Sequence, residues 1–200
     1  MTRLCTTLSI LVLATTPAFA PPQSKTGALD FKLDPSSSTI HWTLSATGHT
    51  VHGTFKLTSG AFQIDRATHD VTGSIVIDAT SGESGDSARD RRMHHDIIES
   101  AKYPTITFRP MHVNGTVDFT APSPVAITVD GVINLHGEDH ALQLPLTLHN
   151  NGATVVAESR FEIPFVAWGL KDPSTFIFRV EKQVHIDLTT TAIHTNATAP

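Results

Sequence analysis

Apolar and polar residues alternate along most of this chain with a period of two, which sets one face of a β-strand on a core. Ile40, Trp42 and Leu44 alternate with His41, Thr43 and Ser45. Val51, Gly53, Phe55 and Leu57 fall on one face, and His52, Thr54 and Lys56 on the other. Ser59-Gly60 reads as a turn, followed by strands over 62–65 and 71–78. Further strands are predicted over 105–109, 111–119, 125–135, 142–148, 154–163, 175–180 and 184–188. Asn114-Gly115, His136-Gly137-Glu138-Asp139 and Asn150-Asn151-Gly152 carry turn chemistry between them.

One segment departs from the alternation. Ser87 followed by Asp90 resembles a capping box, and Met93 and Ile97 sit at helical spacing, so a single substantial helix is predicted over 88–99. One short helix cannot supply the crossovers of a parallel sheet, so the strands are expected to be antiparallel. Such a series fits a barrel or a sandwich. The run of adjacent hairpins leans toward a barrel, because closure removes exposed edges.

The ends follow different rules. Residues 1–20 carry Arg3, the apolar run from Leu8 to Ala14 and a terminal Ala18-Phe19-Ala20, the pattern of a secretory leader. Pro21 fits poorly directly after a cleavage point, which leaves the exact cut open by a few residues. The apolar run is too short to span a bilayer, and no lipid-attachment cysteine follows it. A flexible segment over 21–30, one β-domain over 31–190 and a disordered Ala/Thr/Pro-rich tail over 191–200 are expected. Periplasmic or secreted localisation follows from the leader, without a stable membrane anchor.

Composition narrows the functions available. The single cysteine, Cys5, lies inside the leader, so the mature domain has neither disulfides nor thiol chemistry. The leader takes one of 14 basic residues and none of 19 acidic ones, moving the net charge from −5 to −6. That balance argues against nucleic-acid binding, which needs a basic face to neutralise phosphates. Twelve histidines raise the question of metal. His49 and His52 point to opposite faces of a regular strand, His94 and His95 diverge on a helix, and His136 and His140 flank a turn without a supporting carboxylate pair. No metal site is therefore assigned. Gly82-Glu83-Ser84-Gly85 has the wrong order for a nucleophile elbow and reads as a polar loop. No glycine-rich phosphate loop is present, so no cofactor is expected. Ile40, Trp42, Leu44, Phe55, Ile75, Ile77, Ile106 and Phe108 would form an apolar interior, either a packed core or the wall of a ligand cavity.

Several ordered blocks carry a family resemblance. Gly53-Thr54-Phe55, Ala88-Arg89-Asp90 with Met93, and Tyr103-Pro104 with Ile106-Thr107-Phe108 resemble the motif run of YceI-like proteins. Leu135-His136-Gly137 and Trp168-Gly169-Leu170 extend the resemblance, which runs from Phe31 to Leu188. Arg92-Met93 stands where a His-Leu pair is common, and Ile97-Ile98 replaces an aromatic pair. The resemblance implies an eight-stranded, antiparallel, lipocalin-like barrel. It also implies an exported, non-enzymatic carrier that holds a long-chain isoprenoid or fatty lipid, and a possible homodimer. A polar head group would then sit at the mouth, rimmed by residues 88–100 or by the loop containing Phe165 and Trp168. Arg89 and Asp90 are read as a structural pair fixing the helix. The competing functions are an enzyme acting on a small hydrophobic substrate, and a stress-related interaction module with a filled core.

Overall fold

Eight antiparallel strands follow one another in chain order around a closed barrel, and the last pairs with the first. The computed structural model describes residues 27–116 and 124–195, so the expected leader and residues 196–200 lie outside the described residues. The strands are β1 (Ala28–Ala46), β2 (His49–Asp65), β3 (Val71–Glu83), β4 (Thr105–Asn114), β5 (Val125–Leu135), β6 (Glu138–Asn150), β7 (Thr154–Ile163) and β8 (Val184–His194). In β5, Ile127, Val129, Ile133 and Leu135 are buried inside, while Asp130 and Asn134 face outward. Alternation of this kind around a closed sheet gives the domain one interior and one polar exterior.

The longest strands close the barrel by bending. β1 keeps register with β2 from Ala28 to Lys32 and again from Ile40 to Ala46, with an irregularity between. Its pairing with β8 shifts at the same place, between Asp34 and Thr39. The Asp34 carboxylate there accepts bonds from the Ser36 amide at 2.9 Å and the Ser37 hydroxyl at 2.7 Å. These bonds satisfy a kink that a regular ladder could not hold. Pairing also reaches past both ends of the 31–190 span. Leu29 opposes Ile64, and Thr191 opposes Asp34 and Val156, which brings residues 28–30 and 191–194 into the sheet.

Four local expectations change. Ser59-Gly60 is no turn: β2 runs straight through it with a bulge between Leu57 and Ser59. The Leu33 side chain lies where a Gly60 Cβ would stand, so the glycine serves a close approach. The predicted strands 105–109 and 111–119 are one strand ending at Asn114, with Pro110 at a register shift where its missing N–H costs no ladder bond. Residues 117–119 lie outside the described residues. Residues 175–180 are not a strand but a turn, touching the sheet at an isolated bridge between Val180 and Ala46.

The helix differs too. α1 covers Ser87–Arg92 and passes into one wider π-helical turn over Met93–Ile97. Asp86, not Ser87, caps it, accepting from the amides of Ala88 and Arg89 at 3.0 Å each. Asp90 turns away from the helix to Ser84, accepting from its amide at 2.9 Å and from its hydroxyl.

Two predictions follow from this framework. Gly53 opposes Trp42 across β1 and β2, and a Cβ there would collide with the indole ring and the Glu83 carbonyl. Gly53→Ala is expected to lower stability by about 1–3 kcal/mol through overpacking. The urea midpoint measures this, and an unchanged midpoint would contradict the packing described. The second prediction concerns acid. Bonds from Asn114 and then Gln143 hold the Asp130 carboxyl below its ordinary pKa. Asn134 and then Arg109 do the same for Asp139. Groups depressed in the folded state stabilise it above the unfolded pKa of about 3.9, and that contribution disappears as pH falls through the folded values. The urea midpoint should therefore drop between about pH 5 and about pH 2, and Asp130→Asn should make the drop smaller.

Candidate functional site

The interior holds an elongated apolar space in two connected parts. The inner part is a cavity of about 250 Å³. Its walls come from all eight strands and are apolar apart from Thr190. The Thr190 hydroxyl is already bonded to Ser38 at 2.7 Å, so it offers little to a guest. No titratable side chain lines this part. The outer part, about 370 Å³, is bounded by the β1–β2 hairpin, α1 with its π-turn, and the segment after β7. Phe55, Phe165, Leu170, Val184 and Ile186 line both parts and join them into one channel.

Two places where neighbouring strands part shape this channel. β3 and β4 share only four paired positions, from Ile75 with Phe108 to Asp78 with Thr105. The chain between them carries α1 and the π-turn, which place Met93 and Ile97 on the outer cavity. β6 and β7 also share only four, from Thr147 with Glu158 to Asn150 with Val155. Before Thr147, β6 has Pro145, whose carbonyl accepts the Ser159 hydroxyl at 2.5 Å. The chain leaving β7 turns back at Phe165, and the Leu170 amide bonds the Phe165 carbonyl at 3.0 Å. Phe165 and Leu170 thereby enter the channel wall.

The residues singled out from the alternation line this space, as does Phe165 of the two that the family resemblance placed at the rim. Ile40, Ile75, Ile77, Ile106 and Phe108 line the inner cavity, Trp42 and Leu44 the outer one, and Phe55 and Phe165 both. Trp168 is the exception. Its ring stacks on His140 at 4.4 Å with the planes 3° apart, covering the part of β6 that β7 leaves unpaired. It belongs to neither cavity wall. The alternation also passes over Phe31, Leu33, Phe161, Ile186 and Leu188, which line the inner cavity. For 28–39, the Pro-Ser-rich kink conceals the strand pattern. Arg89, Arg92, Met93 and Ile97 escape it because a helix brings them to the mouth.

Two arginines reach the outer cavity, whose lining is otherwise almost wholly apolar. The Arg89 guanidinium donates to the Ser84 hydroxyl at 2.7 Å and to the Ser84 carbonyl at 3.0 Å. Asp90 holds the same serine, so Arg89 and Asp90 meet through Ser84 without a direct ion pair among the described residues. Arg92 reaches across to the Pro173 carbonyl at 3.3 Å. Trp42 is 5% exposed and its indole N–H has no partner among the described residues. A buried donor without an acceptor costs free energy.

The histidines are held one by one. His94 bridges Ser100 at 2.9 Å and the Gly82 carbonyl at 2.8 Å, tying the π-turn to the end of β3. The Gly82 carbonyl can only accept, so the His94 Nε2 carries a proton. His136 bonds the Glu99 carboxylate, and its ring meets Tyr103 at 4.4 Å. Gly137 leaves room for that tyrosine. His136 and His140, which flank the β5–β6 turn, therefore face different partners. Among the described residues no three His, Cys, Asp or Glu side chains converge as metal ligands. No described helix is long and apolar enough to cross a membrane.

Comparisons with known proteins agree with this architecture. A model of the YceI-like domain matches residues 31–192. Among solved structures, BcnA of Burkholderia cenocepacia is similar at 19% identity with a TM-score of 0.65, covering 80% of this chain and 98% of its own. A polyisoprenoid binding domain from Saccharophagus degradans, implicated in plant cell wall breakdown, is similar at 17% identity with a TM-score of 0.61. It covers 83% of this chain and 99% of its own. At these identities the likeness is one of fold. No curated protein sequence matches the chain. The blocks that carry the sequence resemblance meet in space, Gly53 under Trp42, Met93 beside Phe55 and Gly82, and Tyr103 against His136 and Gly137. With the match spanning nearly the whole barrel, the chain belongs to the YceI-like domain family.

Proposed function

We propose that this chain is an exported, non-enzymatic carrier that holds a long-chain isoprenoid or similar lipid in its channel, with the polar head at the mouth. The observation that carries the reading is an inner cavity of about 250 Å³ whose walls present no titratable side chain. Left empty, a void of that size costs on the order of 6 kcal/mol at about 24 cal/mol per Å³. That is comparable to the whole stability of a typical domain, about 5–15 kcal/mol. Water is a poor filler, because an apolar cavity offers it no partners. An apolar chain recovers the loss, at about 0.8 kcal/mol for each buried methylene.

The same wall counts against an enzyme working inside the barrel, since acid–base chemistry needs titratable groups within reach of the substrate. Arg89 and Arg92, which line the otherwise almost wholly apolar outer cavity, are the charged groups nearest to a head at the mouth. The polyisoprenoid binding named for the Saccharophagus degradans relative supports this choice of ligand class. The leader pattern of residues 1–20 supports export, and an insoluble chain in an aqueous compartment needs a container of this kind.

The test has two arms. Native mass spectrometry and organic extraction of protein purified from its own host should yield a long-chain isoprenoid or lipid in near-stoichiometric amount. Recovery of a ligand-free protein that also fails to bind added polyprenol would sink the proposal. In the second arm, Ala157→Leu places a larger side chain against the inner cavity, which Ala157 lines. Affinity for a long-chain polyprenol is expected to fall at least about tenfold, equivalent to about 1.4 kcal/mol. Thermal stability of the empty protein should hold or rise as the void is filled.

A further inference from the structure

The segment after β7 turns large apolar side chains outward to the surface. Phe176 is 94% exposed, Ile177 73% and Phe178 58%, three consecutive large apolar residues on the surface. Scattered apolar side chains on a surface are ordinary, but a contiguous group marks an interaction site. Their exposure is built into the fold. The Thr175 amide donates to the Phe178 carbonyl at 2.8 Å, and the Phe178 amide to the Thr175 hydroxyl at 3.1 Å. Below this turn, the Val180 amide donates to the Ser174 hydroxyl at 3.0 Å. The Arg179 amide and carbonyl bond the Thr47 hydroxyl and amide at 3.0 and 2.8 Å, fastening the turn to the β1–β2 hairpin. Phe176 and Ile177 are thus held at the tip of a turn anchored on both sides.

Its location is equally specific. Thr175, Phe178 and Val180 line the outer cavity, so the triplet continues the apolar channel outward past its mouth. Basic residues flank it: Lys171 and Arg179 are exposed and have no ion pair among the described residues. Acids lie among these cations, Asp96 near Lys171, Asp172 near Lys182 and Arg179, and Glu181 3.6 Å from His185, but Lys171, Arg179, Lys182, Arg91 and Arg92 outnumber them. Arg92 of α1 lines the same mouth, and Arg91 beside it in sequence is exposed. On a chain of net charge −5, basic groups beside an aromatic tip form a local exception. Apolar side chains that enter the headgroup boundary, ringed by cations that meet anionic lipids, are the chemistry of an interfacial anchor.

We infer that the Phe176–Phe178 turn docks the mouth of the barrel onto an anionic phospholipid surface. An apolar chain would then pass between bilayer and channel without crossing water. The docking goes beyond the carrier reading and does not require it, because the turn would seat on a membrane whether or not the channel is occupied.

Co-sedimentation with vesicles that contain no isoprenoid keeps the two readings apart. The probes are vesicles of phosphatidylethanolamine with a minority of phosphatidylglycerol, and vesicles of phosphatidylcholine alone. The protein is expected to bind the anionic vesicles reversibly, with affinity that falls as salt is raised. Phe176→Ser combined with Ile177→Ser should reduce that affinity about tenfold, with the circular dichroism spectrum and polyprenol binding unchanged. Lys171→Gln with Arg179→Gln should weaken binding to the anionic vesicles while leaving the weaker phosphatidylcholine binding as it was. Absence of binding to the anionic vesicles, or equal binding by the Phe176/Ile177 variant, overturns the inference. So does a change confined to oligomeric state in light scattering, which would assign the turn to a second copy of this chain.

Discussion

Closure of the sheet between β1 and β8 is the constraint on which the rest depends. An open meander of eight strands would leave two unpaired edges and expose the apolar face that now forms the channel wall. Closure demands that β1 pair on both sides, with β2 and with β8, over most of its length. A regular strand of that length would run past its partners. The kink around Asp34 satisfies its polar groups with the serines that follow, and Ser38 ties it to Thr190 of β8 at 2.7 Å. The same bond occupies the polar side chain in the inner wall, so closure and an apolar interior are secured together.

A closed barrel of eight strands has an interior near the size that side chains can fill. Here the two short pairings, β3 with β4 and β6 with β7, let connecting segments supply part of the wall. Phe165 and Leu170 close one gap, and Met93 and Ile97 face the mouth beside the other. A wall shared between strands and loops leaves the channel tight along the sheet and adjustable at its outer end. The guanidinium groups at that end are held by the protein itself, Arg89 by Ser84 and Arg92 by the Pro173 carbonyl.

The family motifs find their physical reason in this arrangement. Gly53 admits the Trp42 indole, Gly137 admits Tyr103, and Gly82 admits Phe55 and Met93. Each is a place where a side chain crosses a backbone too closely for a Cβ. His94 and His136 then brace the chain around α1 to the sheet, through Gly82 and Glu99. They hold the mouth in shape, and both ring nitrogens of His94 are engaged in doing so.

The sequence by itself determined that the domain is an antiparallel sheet with one apolar face, because a period of two needs only local backbone geometry. It also exposed part of the wall, since Ile40, Phe55, Ile75, Ile77, Ile106 and Phe108 stand on that face. It could not separate barrel from sandwich, or cavity from core, without the ordered motifs, because both pairs share the same alternation. Ser59-Gly60 and Pro110 read as breaks, yet each lies within a continuous strand, where cross-strand pairing outweighs local turn preference. Trp168, which the resemblance placed on a loop at the rim, stacks on His140, and residues 175–180 looked like a strand and form the exposed turn. Those outcomes depend on which surfaces neighbouring strands leave uncovered. Only closure of the barrel decides that, because it brings together residues far apart in the chain.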